Sequence, residues 1–80
     1  MERKCGLNAL DIGDSATVLL LENSGSIRRR LQDIGIVEGT EIECVLKAPS
    51  GDPSAYLIKG AVIAIRNDDS KKIFVRCEHE

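Results

Sequence analysis

Apolar positions along this chain change period twice, and each change marks an element. From Ile27 the apolar residues recur at Leu31 and Ile34, spaced i, i+4 and i+7, while Arg28, Arg29, Arg30, Gln32 and Asp33 fill the other positions. That is the stripe of a short amphipathic helix. Ser24 or Ser26 is placed to cap its start. With Ile34 as the last helical residue, Gly35 takes the position where a left-handed backbone disfavours a Cβ, and Ile36 follows within reach of Leu31. Glu38-Gly39 makes a second turn. Beyond it Ile42, Cys44 and Leu46 alternate with Glu41, Glu43 and Lys47, so a strand begins whose inward face carries those three apolar residues.

The remaining elements follow from breakers and alternation. Leu7 to Leu10 reads as an anchoring turn, and Gly13-Asp14 opens a strand running from Ser15 to Glu22. Within it, Val18 to Leu21 is apolar on both faces, so the phase of the strand is not readable. Two prolines and a glycine between Ala48 and Pro53 end the strand that began at Glu41. Tyr56 and Ile58 alternate, then Ile63 and Ile65, with Lys59-Gly60 between them as a tight hairpin turn. Residues 67–72 are a polar or single helical turn, and Ile73 to Cys77 is the last strand. Five short strands with one short helix between the first two predict a mainly β fold, a small five-stranded barrel whose closure removes exposed edges. Passing from the fourth strand to the fifth through one polar turn is a feature of small SH3-like barrels.

Eighty residues allow one domain, spanning 1–80, with a small core. Eleven basic residues against 13 acidic leave a net charge of -2, which gives no general pull toward nucleic acid. The longest apolar runs, Val18 to Leu21 and Ala61 to Ile65, are far shorter than the roughly 20 residues that span a bilayer, so no direct membrane insertion is expected. Met1 to Cys5 leads into no apolar secretory segment, and the expected location is cytoplasmic. Cys5, Cys44 and Cys77 form no CxxC and no disulfide framework, which points to a reducing compartment. Cys44 and Cys77 fall on inward strand positions and read as small buried hydrophobes. Cys77-x-His79 is the only ligand-like pair; as two weak candidates they make no closed metal site, so no cofactor is required and at most weak Fe(II) or Zn(II) binding is expected.

No catalytic grouping emerges. The lone histidine is next to the last residue, no Ser or Cys sits in a GxSxG elbow, and Gly35 to Gly39 lacks the lysine and glycine pattern of a phosphate loop. An enzyme is not expected. Arg28, Arg29 and Arg30 are diluted by Glu22, Asp33, Glu38, Glu41 and Glu43, which leaves a solvated face or a docking surface for an acidic patch on a partner protein. Leu57 and Phe74 fall opposite the inward residues of their strands, and they matter as a contact surface only if they share one patch. With Tyr56 and Phe74 as the only aromatics, a groove for proline-rich peptides is poorly supported.

Leu7-x-x-Leu10-x-x-Gly13, Arg30 to Thr40, Gly51-Asp-Pro53, Gly60, Ile63-Ala-Ile-Arg66 and Ile73-Phe-Val75 together resemble the FeoA family of bacterial ferrous iron transport proteins, from about Leu7 to Val75. The resemblance implies a cytoplasmic SH3-like barrel acting beside the membrane ferrous iron permease, whose cytosolic part is a GTP-binding domain. On that reading the chain is an accessory or regulatory module that neither transports iron nor hydrolyses GTP. Its partner-contact residues are expected among Arg28, Arg29, Glu38, Leu57 and Phe74. Where the family usually has proline before the second glycine this chain has Glu38, which loses a preset φ and gains a charge. Asp69-Ser70 stands where Glu-Ala is common. The alternatives are a small metal-binding carrier or sensor using Cys77, His79 and Cys5, and a detached SH3-like domain of an iron-dependent repressor.

Overall fold

The helix stop anticipated at Gly35 organises the structure around it. The computed structural model describes residues 3–77, of Cys77 the backbone alone. Helix α1 (Gly25–Ile34) ends where Gly35 adopts φ 112°. The Gly35 N–H donates to the Gln32 carbonyl at 3.0 Å and the Ile36 N–H to the Leu31 carbonyl at 2.9 Å, the paired bonds of a Schellman motif. At the other end Ser24 occupies the N-cap position with extended φ and ψ, but its hydroxyl makes no capping bond.

The chain then turns a second time and joins the sheet. Gly39 has φ 92° and the Thr40 N–H donates to the Val37 carbonyl at 3.0 Å, which makes residues 37–40 a type II turn. The buried Thr40 hydroxyl donates to the Gly35 carbonyl at 2.9 Å, tying the two turns together. Gly39 also donates to the Val18 carbonyl at 2.9 Å, and Val18 to that of Thr40 at 2.8 Å. Glu38 is exposed at the second position of this turn, where φ near -60° is required and proline supplies it. Glu38→Pro is therefore expected to stabilise the chain by about 0.4–1 kcal/mol, chiefly by restricting the unfolded state. A urea midpoint that falls would show that the turn needs the Glu38 N–H.

Six strands form one antiparallel sheet. They are β1 (Arg3–Gly6), β2 (Ser15–Leu21), β3 (Glu41–Lys47), β4 (Ser54–Ile58), β5 (Ala61–Ile65) and β6 (Ile73–Cys77), in the spatial order β1-β6-β2-β3-β4-β5. A 3-10 turn at Leu7–Ala9 precedes β2, and one helical turn, α2 (Asn67–Ser70), precedes β6. Five of these strands are those the sequence predicts. The sixth, β1, carries no apolar alternation; it exists because β6 offers partners, Cys5 opposite Val75 and Gly6 opposite Phe74. The expected removal of edges is incomplete, since β1 and β5 stand at the two ends of the strand order.

Two irregularities explain positions where alternation misleads. Strand β2 changes neighbour midway: Ser15 to Thr17 pair with β3, Val18 to Leu21 with β6, and the register shifts between Val18 and Leu20. A bulge absorbs one residue of the alternation, so Val18 and Leu21 are both buried although three positions apart. In β3 the register shifts between Cys44 and Leu46. Leu46 is accordingly 61% exposed, against the inward position its spacing from Ile42 and Cys44 predicts. The core gathers Leu7, Leu10, Val18, Leu31, Ile36, Ile42, Tyr56, Ile58, Ile73 and Val75, drawn from both halves of the sheet and from the corner after α1. The loop at 48–53 is held to α2 by the Asn67 N–H, which donates to Asp52 Oδ1 at 3.1 Å.

Candidate functional site

Helix α1 leaves part of its apolar stripe uncovered. Leu31 is buried, but Ile34 is half-buried and Ile27 is 37% exposed. Across from them lie Ile63, Ala64 and Ile65 of β5, and the space between is a groove of about 350 Å³ with Arg30, Arg66 and Asp69 on its rim. Its floor is aliphatic and its rim is charged. This arrangement can hold apolar side chains of a partner and meet charges beside them; Asp69 is the one carboxylate along it, with no His, Ser, Cys or Lys among its lining residues.

The residues singled out from the sequence are spread over several surfaces. Arg28 Nη1 donates to the Leu21 carbonyl at 2.6 Å and reaches that of Asn23 at 3.4 Å, so this guanidinium joins α1 to the end of β2. Arg29 is exposed beside it, and Glu38 is exposed at the tip of the type II turn. Leu57 lies half-buried on the outer side of β4, lining a shallow hollow with Glu41, Glu43 and Lys59. Phe74 lies on β6 with the Lys4 ammonium 5.2 Å from its ring centre, a cation–π contact. Strands β2 and β3 separate Leu57 from Phe74, so the two do not share one strand pair. Ile27, Ile63 and Arg66, which line the groove, were absent from the sequence-derived set, and Arg30 entered it only as part of the run of three arginines. Ile27 and Ile63 read as core in the linear pattern, and the signal that they face a groove lies only in the distance between α1 and β5.

Metal-ligand and thiol chemistry can be placed in part. Among the described residues no group of three or more His, Cys, Asp or Glu side chains could hold a metal ion. Cys5 is disulfide-bonded, against the expectation of three free thiols, and so is not available as a thiolate ligand. The side chain of Cys77 and the whole of His79 lie outside the described residues. Cys44 is free and fully buried, and burial pushes its thiol above the ordinary value of 9.0. A protonated, enclosed thiol is a poor nucleophile.

Burial acts in the same direction on Tyr56, whose hydroxyl is raised from 10.0 by desolvation while the Ser54 and Ser70 hydroxyls beside it pull the other way. Neither serine reaches good hydrogen-bond geometry with the Tyr56 oxygen. Both groups keep their protons longer in the folded chain than in the unfolded one. The unfolded state then binds fewer protons than the native state once pH passes 9.0 for Cys44 and 10.0 for Tyr56. Stability is therefore full below pH 9.0 and declines as pH rises beyond it. Urea midpoints measured from pH 7 to 11 should fall above that point, less steeply in Cys44→Ala; a flat profile would contradict the burial of both groups.

Known proteins are similar to this chain in sequence and in fold. The FeoA domain model matches residues 5–77. A Fe(2+) transport protein A/Fe(2+) transporter FeoB fusion protein from Porphyromonas gingivalis is 36% identical over 69 residues, which are 86% of this chain and 8% of that one. The chain thus spans 8% of that relative's length. A FeoA-like protein from Clostridium acetobutylicum superposes with a TM-score of 0.87 at 36% identity, covering 100% of this chain and 93% of that one. FeoA from Stenotrophomonas maltophilia, a prokaryotic SH3 domain protein complexed with zinc, gives 0.79 at 30% identity, covering 88% and 87%. At 18% identity the fold alone recurs within a manganese-dependent transcriptional repressor, with a TM-score of 0.83 over 95% of this chain and 42% of that one.

Proposed function

The chain belongs to the FeoA domain family, associated with ferrous iron transport, and from that premise we propose that it is a cytoplasmic accessory or regulatory protein of bacterial ferrous iron uptake that binds the GTP-binding domain of the membrane ferrous iron permease. The observation that carries the proposal is the fusion relative, in which a segment like this chain shares one polypeptide with the Fe(2+) transporter FeoB. Fusion holds two modules at high effective concentration, an arrangement of use where the modules act on one another. The physical character of the chain agrees. No described helix is long and apolar enough to cross a membrane, and the groove beside α1 suits a protein segment better than a small substrate. The module acts by binding and carries out no chemistry of its own.

The test is retention of the separately produced GTP-binding domain on the immobilised chain at low salt, with and without guanine nucleotide. Retention in at least one nucleotide state is expected. Its absence in every state would overturn direct binding.

A second reading, weak Fe(II) or Zn(II) binding through Cys77 and His79 under conditions that reduce the disulfide of Cys5, is favoured by the zinc held by the Stenotrophomonas maltophilia relative. Equilibrium dialysis decides it: affinity unchanged by His79→Ala and Cys77→Ser would remove both residues as ligands. The detached-repressor reading rests on fold likeness at 18% identity, which shows the fold alone.

A further inference from the structure

Strand β5 ends the sheet beside the groove, and its free side is a second feature of the same place. It follows β4 through the two-residue turn Lys59-Gly60, both residues at positive φ, 49° and 86°, the I′ form that continues the twist of a hairpin. A hairpin closed this way has a hydrogen-bonded pair at Ile58 and Ala61. By alternation Tyr56 with Ile63 and Ser54 with Ile65 are bonded pairs too, while Leu57 with Val62 and Ala55 with Ala64 are not. The N–H and C=O groups of Val62 and Ala64 therefore point to the free edge. None of the described residues bonds them.

An edge strand of five apolar residues is a ready template for pairing with another chain, and folded proteins cover or guard such edges. Here the guards are basic. Lys59 stands at one end, its side chain running along Gly35 so closely that a Cβ there would lie 3.1 Å from Lys59 Cδ. Arg66 stands at the other end, with Arg30 across the groove on α1. No ion pair joins Lys59, Arg30 or Arg66 to a described acid, and Asp69 is the one acid on the rim. These charges also discriminate between occupants. Two copies pairing antiparallel about Ile63 would set Gly60 opposite Arg66 and bring Lys59 beside that arginine, cation against cation at both ends.

The geometry points to β5 as the docking edge for an extended, acid-flanked segment of the partner protein. Its main chain adds a strand by bonding Val62 and Ala64. Its inward aliphatic side chains enter the groove against Ile27 and Ile34, and its carboxylates meet Lys59 at one end and Arg66 with Arg30 at the other. This rests on the permease reading for the identity of the partner, while the docking edge stands on β5 itself.

The test uses the full chain with two binders: the permease's GTP-binding domain and the blocked peptide Ac-Asp-Ile-Thr-Val-Thr-Ile-Asp-NH2. Ala64→Pro removes one outward N–H from an edge strand, where proline is tolerated, and Ile27→Asp places a repelling carboxylate at an exposed groove position whose loss leaves the core intact. Each variant is expected to bind the domain at least tenfold more weakly, and the peptide should slow amide exchange at Val62 and Ala64 in the parent chain. Unchanged domain binding in both variants would overturn the docking edge and leave the permease reading standing. Peptide protection at Val62 and Ala64 without any domain binding would support the edge and overturn the permease reading. Self-association of the parent chain that Ala64→Pro abolishes would assign the edge to a second copy and overturn the acidic segment.

Discussion

Tyr56→Ala is expected to destabilise the fold by about 3–5 kcal/mol, the range for removing a large aromatic side chain from a core. Tyr56 is fully buried and the largest of the enclosed side chains. It sits on β4, between β3 through Cys44 and β5 through Ile63, so its ring fills the space under three strands at once. A chain of 80 residues has a total stability of about 4–12 kcal/mol. Losing the ring removes much of that, and the variant should be substantially unfolded at 37 °C by circular dichroism. Tyr56→Phe separates ring from hydroxyl. Because the oxygen faces Ser54 and Ser70 without a well-formed bond, its removal should cost no more than about 1 kcal/mol. A phenylalanine variant as unstable as the alanine variant would show that the hydroxyl, not the ring, holds β4 in place.

Ile36→Ala should cost about 2–5 kcal/mol, whereas Leu46→Ala should cost less than about 0.5 kcal/mol. The two residues are alike in apolar bulk and opposite in setting. Ile36 is fully buried directly after the helix stop, and its N–H donates to Leu31, so its side chain pins the end of α1 to the core. Leu46 lies beyond the β3 bulge and is 61% exposed. Urea denaturation of the two variants compares them directly. Equal losses would contradict the register shift between Cys44 and Leu46 and restore the simple alternation of Ile42, Cys44 and Leu46. The same experiment bears on the groove, since a loosened Ile36 frees α1 to move relative to β5.

The candidate contact residues show the limit of reading polarity from position. Arg28 has the pattern of a surface cation, yet its guanidinium is committed to the carbonyls of Leu21 and Asn23. Arg30, two positions on, lines the groove rim instead. Nothing in the run of three arginines distinguishes them; the direction of each follows from the 100° step of the helix and from what the rest of the chain places beside it. Leu57 and Phe74 were paired by their outward phase, and the strand order sets two strands between them.

What the sequence determined by itself is local. The Schellman stop at Gly35, the turn at Gly39 and the tight hairpin at Lys59-Gly60 each rest on a glycine at positive φ, so no distant contact was needed to foresee them, whereas the positive φ of Lys59 that makes the hairpin I′ is not written in its residue type. The helix, the five predicted strands and the membership of the FeoA family belong to the same class, because periodicity and spaced glycines are properties of neighbours along the chain. The tertiary structure decided the rest. Strand β1 forms only because β6 is there to receive it, the two bulges are imposed where a strand meets partners of different register, and Leu46 is exposed in consequence. The groove is likewise invisible in the linear pattern. Ile27 and Ile63 are apolar in any reading, and whether they are core or contact surface depends on the gap between α1 and the free edge of β5, which only packing in three dimensions can set.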